Sequence, residues 1–400
     1  MTLQTDPLRG VRVLDCSTLF AGPVVASLMG DFGADVIKIE HPRGDDVRKL
    51  GWKKDGESIW WAVLSRNKRC ITLNLSTSDG CDLFKRLASN ADVLVENFRP
   101  GTMERWGLGP DELLQINPRL VIVRTTGFGQ TGPYRDLAGF GTLAEAMSGF
   151  AYLNGWPDTP PTLPPFALAD GVAGVTGCFA AMVALWWRDH APDGTGQVVD
   201  LSLYEPLFAL LGPQVAVYDA LGIVQERSGN SAPFTAPRNV YKTREGVWLA
   251  LSASSQSIAE RVMHIIGRTD FLAEPWFADH DGRLAHVQEL DVAIQTWIGE
   301  RTAEDVLAAF AKGDAAITPV LSVKDIVEND HYNYRETIID VPHPRLGHLK
   351  MPNVIPRLSR TPGRVRHPGP TLGEHNVDIY SGELGLSENE VASLRRSGVI

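Results

Sequence analysis

The side chain with the clearest chemical potential is a single aspartate, Asp170, where an apolar stretch rich in alanine and glycine begins. The pattern predicts a helix that starts near this residue, so a helix N-cap is the simplest interpretation. The positive end of that helix would favour the ionised carboxylate. An ionised, positioned carboxylate can also attack an activated acyl group. The residues alone leave the choice between cap and nucleophile open.

Motifs for other chemistries are absent from the sequence or incomplete. It contains no G-x-S-x-G elbow, H-E-x-x-H motif, paired-cysteine motif or G-x-x-x-x-G-K-[ST] loop. Residues Gly127–Gly132 match G-x-G-x-x-G, but Pro133, Tyr134 and Arg135 follow instead of an apolar helix. A dinucleotide site needs that helix because its N-terminus binds the pyrophosphate. We therefore predict a glycine-rich loop at a strand end and no metal site.

The composition is typical of a soluble globular protein. Of 400 residues, 44% are hydrophobic and 22% charged, and the formal net charge of −10 makes nucleic acid an unfavourable partner. We find no apolar run long enough for a bilayer, and residues 1–10 lack a charged-then-apolar leader, so a cytoplasmic protein without a membrane partner is expected. Its cysteines are expected to be reduced and mostly buried: Cys16, Cys70, Cys81 and Cys178.

Short apolar segments alternate with helical patterns, which predicts an α/β fold with a mainly parallel sheet. Strands are expected at 11–15, 35–40, 69–75, 92–96, 120–125, 197–203 and 247–252. Helices are expected at 21–32, 78–89, 143–150, 171–187 and 205–221, and a terminal helix at 387–397 with a capping box. The proline-rich stretch 340–373 is expected to be a long crossing segment without regular periodicity.

The charge is uneven along the chain. Residues Lys38–Arg69 contain nine Lys and Arg against five Asp and Glu, a net charge of +4 within an acidic protein. This segment is either a solvated loop or a patch for an anionic ligand such as a nucleotide phosphate.

The whole chain resembles the family III CoA-transferases, which include formyl-CoA:oxalate and carnitine CoA-transferases. The matching segments follow the family order: LRGVRVLD (8–15), AGP (21–23), GADVIKIE (33–40), NKR (67–69), ADVLVENF (91–98), PG (100–101), AMSG (146–149), ADG (169–171) and LGEH (372–375). The resemblance implies a large Rossmann-like parallel-sheet domain with a smaller α/β domain, in an interlocked homodimer. We expect the large domain at 1–224 and 331–400, where the chain returns to it, and the small domain at 225–330.

The resemblance also implies the chemistry. The family's aspartate, matched by Asp170, attacks the donor acyl-CoA and becomes an aspartyl-CoA thioester, which the acceptor carboxylic acid then attacks. CoA enters as the acyl-CoA substrate, and no tightly bound cofactor is expected. By similarity, CoA contacts are expected at Phe20, Ala21, His41, Leu73, Asn74, Asn97, Phe98, Arg99 and Arg105. A dicarboxylic acid such as succinate or mesaconate would suit the family, and candidate cations for its second carboxylate are Arg43, Arg48, Lys53 and Arg238.

Two positions depart from the family pattern, and three alternative functions stay open. Phe20 replaces a polar residue of some members, and Gly141 follows Phe140 where many members have an acidic residue. An α-methylacyl-CoA racemase of the same fold would need a histidine at Phe140, and phenylalanine carries no proton, which favours the transferase. An NAD-dependent dehydrogenase has only Gly127–Gly132 in its favour. A non-catalytic binder of CoA esters would leave Asp170 without a role.

Overall fold

The computed structural model describes residues 6–400, which form two compact units. The first contains the described residues up to Tyr152, Leu163–Val224 and Tyr334–Ile400, and the second contains Leu153–Thr162 and Gln225–Asn333. Residues 1–5, half of the start in which no leader is expected, lie outside the described residues.

The strands are β1 (Arg12–Asp15), β2 (Asp35–Glu40), β3 (Lys53–Lys54), β4 (Glu57–Ser58), β5 (Lys68–Thr72), β6 (Val93–Glu96), β7 (Val121–Thr126), β8 (Val198–Ser202), β9 (Arg238–Lys242), β10 (Trp248–Ser252), β11 (Ile317–Pro319), β12 (Ile338–His343) and β13 (Gly347–Pro352). The helices are α1 (Ala21–Asp31), α2 (Ile59–Leu64), α3 (Ser78–Ala88), α4 (Thr102–Arg105), α5 (Pro110–Ile116), α6 (Gly141–Met147), α7 (Phe150–Leu153), α8 (Leu168–His190), α9 (Tyr204–Ala209), α10 (Gln214–Leu221), α11 (Gln256–Ile266), α12 (His280–Ala285), α13 (Val287–Gly299), α14 (Ala303–Lys312), α15 (Val323–Glu328), α16 (Asp330–Tyr334) and α17 (Glu388–Arg396). Short 3₁₀ turns occupy Asp46–Arg48, Phe271–Ala273 and Pro275–Ala278, and Asp378–Glu383 is a π-helix.

The first unit is built on a six-stranded sheet in the order β5-β2-β1-β6-β7-β8, and every neighbouring pair is parallel. Helices cover both faces, so the strands need apolar side chains on both sides, and Val93, Leu94 and Val95 of β6 are fully buried. The strand order reverses between β1 and β6, as in the Rossmann arrangement. The prediction of a Rossmann-like parallel-sheet fold is confirmed.

Helices α1 and α8 pack closely against each other on one face of this sheet. A Cβ atom added at Gly174 of α8 would lie 2.5 Å from Cγ1 of Val24 and 3.0 Å from the carbonyl oxygen of Ala21. At Gly177 it would lie 2.8 Å from Cγ2 of Val25. The two glycines therefore allow a helix–helix approach that any side chain would prevent.

The second unit has its own sheet and core. Strands β9, β10 and β11 form an antiparallel sheet in the order β11-β10-β9. Its core takes Leu249 from β10, Val262 from α11, Ile294 from α13 and Phe310 from α14, all fully buried. The unit is therefore stabilised by a hydrophobic cluster of its own.

Two predicted elements are wrong. The single helix at 205–221 is divided into α9 and α10 because Gly212 has φ +77° and Pro213 lacks the backbone N–H that a continuous helix requires. The stretch 340–373 is not wholly irregular, since β12 and β13 form an antiparallel hairpin in which Val341 pairs with Leu349. The terminal helix α17 and its Ser387–Glu390 capping box are confirmed.

The prediction that no apolar run could span a bilayer is also wrong by length and composition. Helix α8, with 23 residues, is long and apolar enough, although it packs against α1 and the central sheet. The cytoplasmic location and the lack of a membrane partner stay predictions. The four cysteines are free thiols, and all but the partly buried Cys178 are buried.

Candidate active site

The candidate site lies where the strand order reverses, at the carboxyl ends of β1 and β6. In open parallel sheets this is where ligands bind. The loops that leave these two strands are joined through Asn97, whose Oδ1 accepts from the Thr18 amide and whose Nδ2 donates to the Thr18 carbonyl, both at 2.7 Å. A cavity of about 190 Å³, called here the Asp170 cavity, opens at these loops. Its lining includes Thr18–Ala21, Asn97–Pro100, Thr125–Gly127, Arg135, Leu137–Phe140, Asp170 and Leu203.

Asp170 is the third residue of α8 and lies in its first turn. The N-cap position belongs to Ala167, so the interpretation of Asp170 as an N-cap is wrong. Within residues 6–400, no group donates a hydrogen bond to the carboxylate of Asp170. Burial, followed by the negative charge of Glu145, raises the pKa of Asp170 to about 6. The carboxylate is therefore still mostly ionised at pH 7, although its pKa lies above that of an ordinary aspartate.

The start of α8 is held by a residue from α6. Oε1 of the buried Glu145 accepts hydrogen bonds from the amides of Leu168 (3.1 Å) and Ala169 (3.3 Å). This carboxylate takes the place of the missing N-cap side chain. Glu145 also lines a second cavity, called here the α6 cavity, of about 460 Å³. Asp170 lines both cavities, together with Leu19, Phe20 and Phe140.

The loop between β1 and α1 is anchored by buried charges. Lys38 Nζ lies 3.2 Å from Asp45 Oδ2 and donates to the Ser17 carbonyl, while Asp45 Oδ1 accepts from the Leu19 amide at 3.3 Å. Burial lowers the pKa of Lys38, but the carboxylates of Asp15 and Asp45 outweigh it and raise that pKa above its usual value. A permanently charged lysine thus holds this loop, in which Leu19 has φ +63°.

A third cavity, called here the His41 cavity, adjoins the same loop. It measures about 390 Å³ and is lined by His41, Leu73, Asn74 and Phe98, among others. Thr18, Leu19 and Phe98 line both this cavity and the Asp170 cavity. Burial and the charge of Arg43 lower the pKa of His41, so its ring is neutral at pH 7.

The structure brings most of the residues expected to bind CoA to these cavities. Phe20, Ala21, Asn97, Phe98 and Arg99 line the Asp170 cavity, and His41, Leu73 and Asn74 join Phe98 at the His41 cavity. Arg105 lines neither of them. Its exposed side chain donates to Thr102 Oγ1 at 2.9 Å, one turn back on α4.

The cationic segment is mostly neutralised within the protein. Six of its nine cations form ion pairs: Lys38, Arg48, Lys49, Arg66, Lys68 and Arg69. Arg48 donates two hydrogen bonds to the Glu40 carboxylate, at 2.7 and 2.8 Å. We therefore exclude Arg48 as a candidate for binding a substrate carboxylate. Of the segment's cations, Arg43 lines the His41 cavity.

Two residues at the site, Glu145 and Arg135, have no signal in the sequence, and a third, Gly141, is visible there only as a departure from the family pattern. Gly141 and Glu145 face Asp170 from α6, and Arg135 lines the Asp170 cavity from the loop after β7. Spacing along the chain does not connect them to Asp170, because the contacts depend on how α6 and α8 pack.

The glycine-rich loop is confirmed as a strand-end loop. Gly129 and Gly132 both have φ +87°, and α6 begins only at Gly141. Gly127 packs on Gly139, where an added Cβ would lie 2.5 Å from the Cα of the other glycine. Within residues 6–400 no cluster of His, Cys, Asp or Glu could hold a metal ion.

The chain is similar in sequence and in fold to proteins of known family. The model of the CoA-transferase family III matches residues 8–376. The chain is 42% identical to succinyl-CoA--D-citramalate CoA-transferase of Chloroflexus aurantiacus, over 98% of each chain. It is 39% identical to the beta subunit of succinyl-CoA--L-malate CoA-transferase of the same bacterium, over 100% of this chain and 99% of the relative. The crystal structure of a CaiB/BaiF family protein from Brucella suis superposes with a TM-score of 0.83 at 30% identity, covering 95% of this chain and 100% of that one.

Proposed function

The chain belongs to the CoA-transferase family III, and we propose that this CoA-transferase works through a covalent intermediate on Asp170. The observation that carries the proposal is the state of that carboxylate. It lines two cavities and receives no hydrogen bond from the described residues, so its oxygens are free to attack a substrate. Its pKa of about 6 leaves it ionised at neutral pH yet more basic than an ordinary aspartate.

The exchange consists of four attacks. An Asp170 oxygen attacks the donor's thioester carbonyl and the C–S bond breaks. This step releases CoA thiolate and forms a mixed anhydride between Asp170 and the donor's acyl group. The thiolate then attacks the aspartyl carbonyl and expels the donor acid, which carries away the bridging oxygen. The acceptor carboxylate attacks the resulting aspartyl-CoA thioester and displaces the thiolate. Finally, the thiolate attacks the acceptor's acyl carbon, which frees the Asp170 carboxylate and forms the new acyl-CoA.

Each attack creates an oxyanion, and the start of α1 is suited to stabilise it. The first intrahelical bond runs from the Val24 amide to the Phe20 carbonyl, so the amides of Ala21 and Gly22 precede the hydrogen-bonded turns. Ala21 lines the Asp170 cavity. Amides at a helix N-terminus favour negative charge, which suits a developing oxyanion.

CoA has to stay bound while it is detached from its acyl group. We propose that the His41 cavity holds part of CoA and the Asp170 cavity holds its thiol end. The shared lining of the two cavities, Thr18, Leu19 and Phe98, supports a ligand that continues from one into the other. Arg105 stays a proposed contact for a phosphate, reached by movement of its exposed side chain.

For the acid we propose a small dicarboxylate. The names of the two Chloroflexus relatives pair succinyl-CoA with citramalate and with malate. Arg135 supports this substrate class because it lines the Asp170 cavity, and its one described ion pair, to Asp136 at 3.4 Å, is solvent-exposed and can be exchanged for a distal carboxylate. With Arg135→Met we expect a KM at least about tenfold higher for dicarboxylic acids and little change for monocarboxylic acids of equal length. Lys312→Met, at an exposed lysine of α14 in the second unit, is the control.

We also propose a homodimer. The exposed face of α8 is strongly apolar, with Phe179 and Trp186 each 68% exposed and Val175, Val183 and Trp187 each more than half exposed. An apolar helix face of this kind is a common protein interface. The interlocked arrangement that the family resemblance implies would bury it.

An oxygen-labelling experiment tests the covalent mechanism. Succinyl-CoA is incubated with the enzyme and an acceptor acid whose carboxylate carries ¹⁸O. The mechanism predicts that ¹⁸O enters Asp170 and is found by mass spectrometry of its peptide, and that the protein gains the mass of CoA when no acceptor is present. Asp170→Ala should show neither change. Transfer of CoA without ¹⁸O in Asp170 would rule out the anhydride route.

A further inference from the structure

One charged residue at the site has no place in the steps above. Glu145 is 3% exposed, and Asp170 is its neighbour across the α6 cavity. Burying a carboxylate is costly unless it has a specific partner. The only hydrogen bonds described for its carboxylate come from the amides of Leu168 and Ala169, immediately before Asp170.

Helix geometry places Glu145 and Gly141 on the same face of α6. They are four residues apart, and residues with this spacing lie one above the other. A Cβ at Gly141 would lie 2.9 Å from Cγ of Asp170, so the start of α6 touches the nucleophile itself. One turn later, the same face presents the Glu145 carboxylate to the amides that precede it.

We propose that Glu145 is the positioning residue of Asp170: it fixes the first turn of α8 and places a second negative charge beside the nucleophile. The inference rests on the proposed role of Asp170. Many family members have an acidic residue at position 141, where this chain has Gly141. Glu145 provides a carboxylate on the same face of α6, one helical turn further along. Its charge makes the Asp170 carboxylate more basic and hence a better nucleophile.

Other charged groups near Asp170 act differently. Arg99 and Arg135 line the Asp170 cavity and would favour its ionised form, while Glu145 is the charged residue of the α6 cavity apart from Asp170 itself. Helix α9, which packs on α8, contributes Glu205, whose Oε2 accepts from Ser202 Oγ at 2.6 Å. Burial and Glu145 are the two causes that set the Asp170 pKa.

Two substitutions separate the roles of shape and charge. Glu145→Gln keeps an oxygen that can accept both amides but removes the charge, whereas Glu145→Ala removes both. Glu328→Gln, on the exposed end of α15, is the matched control. In each protein Asp170 is titrated by ¹³C NMR of labelled aspartate, with Asp170→Asn identifying its signal, and kcat is measured alongside.

In Glu145→Gln we expect the Asp170 midpoint to fall from about 6 by roughly half a pH unit or more, and kcat at pH 7.5 to fall only a few-fold. In Glu145→Ala we expect a similar midpoint shift and a loss of kcat of about 100-fold, because the helix start is no longer held. An unchanged midpoint in Glu145→Gln overturns the charge role, and equal kcat values for the Gln and Ala variants overturn the positioning role. The NMR titration does not require turnover, so failure of the covalent mechanism would appear separately, as wild-type enzyme that takes no ¹⁸O into Asp170.

Discussion

A Cβ atom at Gly141 would lie 2.9 Å from Cγ of Asp170, and closer still to its Oδ2. The φ of Gly141 lies outside the left-handed region, so the requirement for glycine here is space, not backbone conformation. The family's acidic residue at this position is therefore incompatible with the position that Asp170 occupies in this protein.

From this contact we predict that Gly141→Ala retains the fold and loses activity. The methyl group would push the Asp170 carboxylate aside by rotating its side chain, which costs little stability. A misplacement of the nucleophile by about 1 Å can cost about 100-fold in rate, so we expect a fall in kcat of that order. Steady-state kinetics and thermal unfolding measure the two effects. Gly382→Ala, at a glycine with nothing near its added Cβ, is the control, and normal turnover by Gly141→Ala would contradict the prediction.

The pH dependence of transfer should follow the ionisation of Asp170. Its pKa is raised to about 6, and the ionised form is the proposed nucleophile, so kcat should be full well above pH 6 and fall tenfold per unit well below it. Asp170→Ala should abolish transfer at every pH. A rate that stays constant from pH 7.5 down to pH 5, with the fold intact, would be inconsistent with this assignment.

Stability should show the opposite effect. A carboxyl whose pKa is higher in the folded state than in the unfolded state binds a proton more readily when folded, so its ionisation destabilises the fold as pH rises through 4 to 6. We therefore expect Asp170→Asn to be more stable than wild type at pH 7.5 by about 1–2 kcal/mol, and this gain to vanish near pH 4. Urea unfolding at the two pH values measures it. A destabilised Asn variant at pH 7.5 would show that the carboxylate supports the fold instead.

Racemisation of 2-methylacyl-CoA esters should be absent. Phe140 lines both cavities at Asp170 but has no group that carries a proton. A racemase incorporates solvent deuterium at the α-carbon, whereas attack on the thioester carbonyl leaves the α-proton in place. We expect no enzyme-dependent exchange by NMR in D₂O. Rapid exchange that disappears in Asp170→Ala would overturn the transferase mechanism in favour of proton transfer.

The assembly state tests the exposed face of α8. We expect light scattering at micromolar concentration to give twice the chain mass. Phe179→Glu, which buries a charge in the proposed interface, should shift the protein toward the monomer. Val292→Glu, at an exposed valine of α13 in the second unit, should leave the mass unchanged. A monomeric wild type would exclude the homodimer.

The sheet could be predicted from sequence because buried parallel strands are contiguous apolar runs. The strand expected at 35–40 matches β2 in full, and the one at 92–96 differs from β6 by a single residue. The wrong role for Asp170 as an N-cap has a physical origin. The group that holds the start of α8 is Glu145, which is distant in sequence, so local pattern and capping preference have no access to it.

The raised pKa of Asp170 could not be predicted from the sequence for the same reason. Local sequence shows the helix that begins near Asp170, but not the burial and the Glu145 charge that raise the pKa of its carboxylate. Three of the paired cations in the cationic segment have counter-ions from outside it, which local charge counting does not reveal: Arg66 pairs with Asp31, Lys68 with Asp15 and Arg69 with Asp35. The break at Gly212-Pro213, in contrast, is written in the sequence itself.

The glycines at the α1–α8 contact bear on how the reacting atoms are realigned at each step of the proposed cycle. In the proposed cycle the thiolate departs from and returns to carbonyl carbons several times, and the attacking atoms must realign at each return. Val24 and Val25 sit directly against Gly174 and Gly177, so the end of α1 proposed to stabilise the oxyanion is packed closely on the helix that carries Asp170. In the proposed cycle, this close packing would keep the separation between the Ala21 and Gly22 amides and Asp170 the same from one half-reaction to the next.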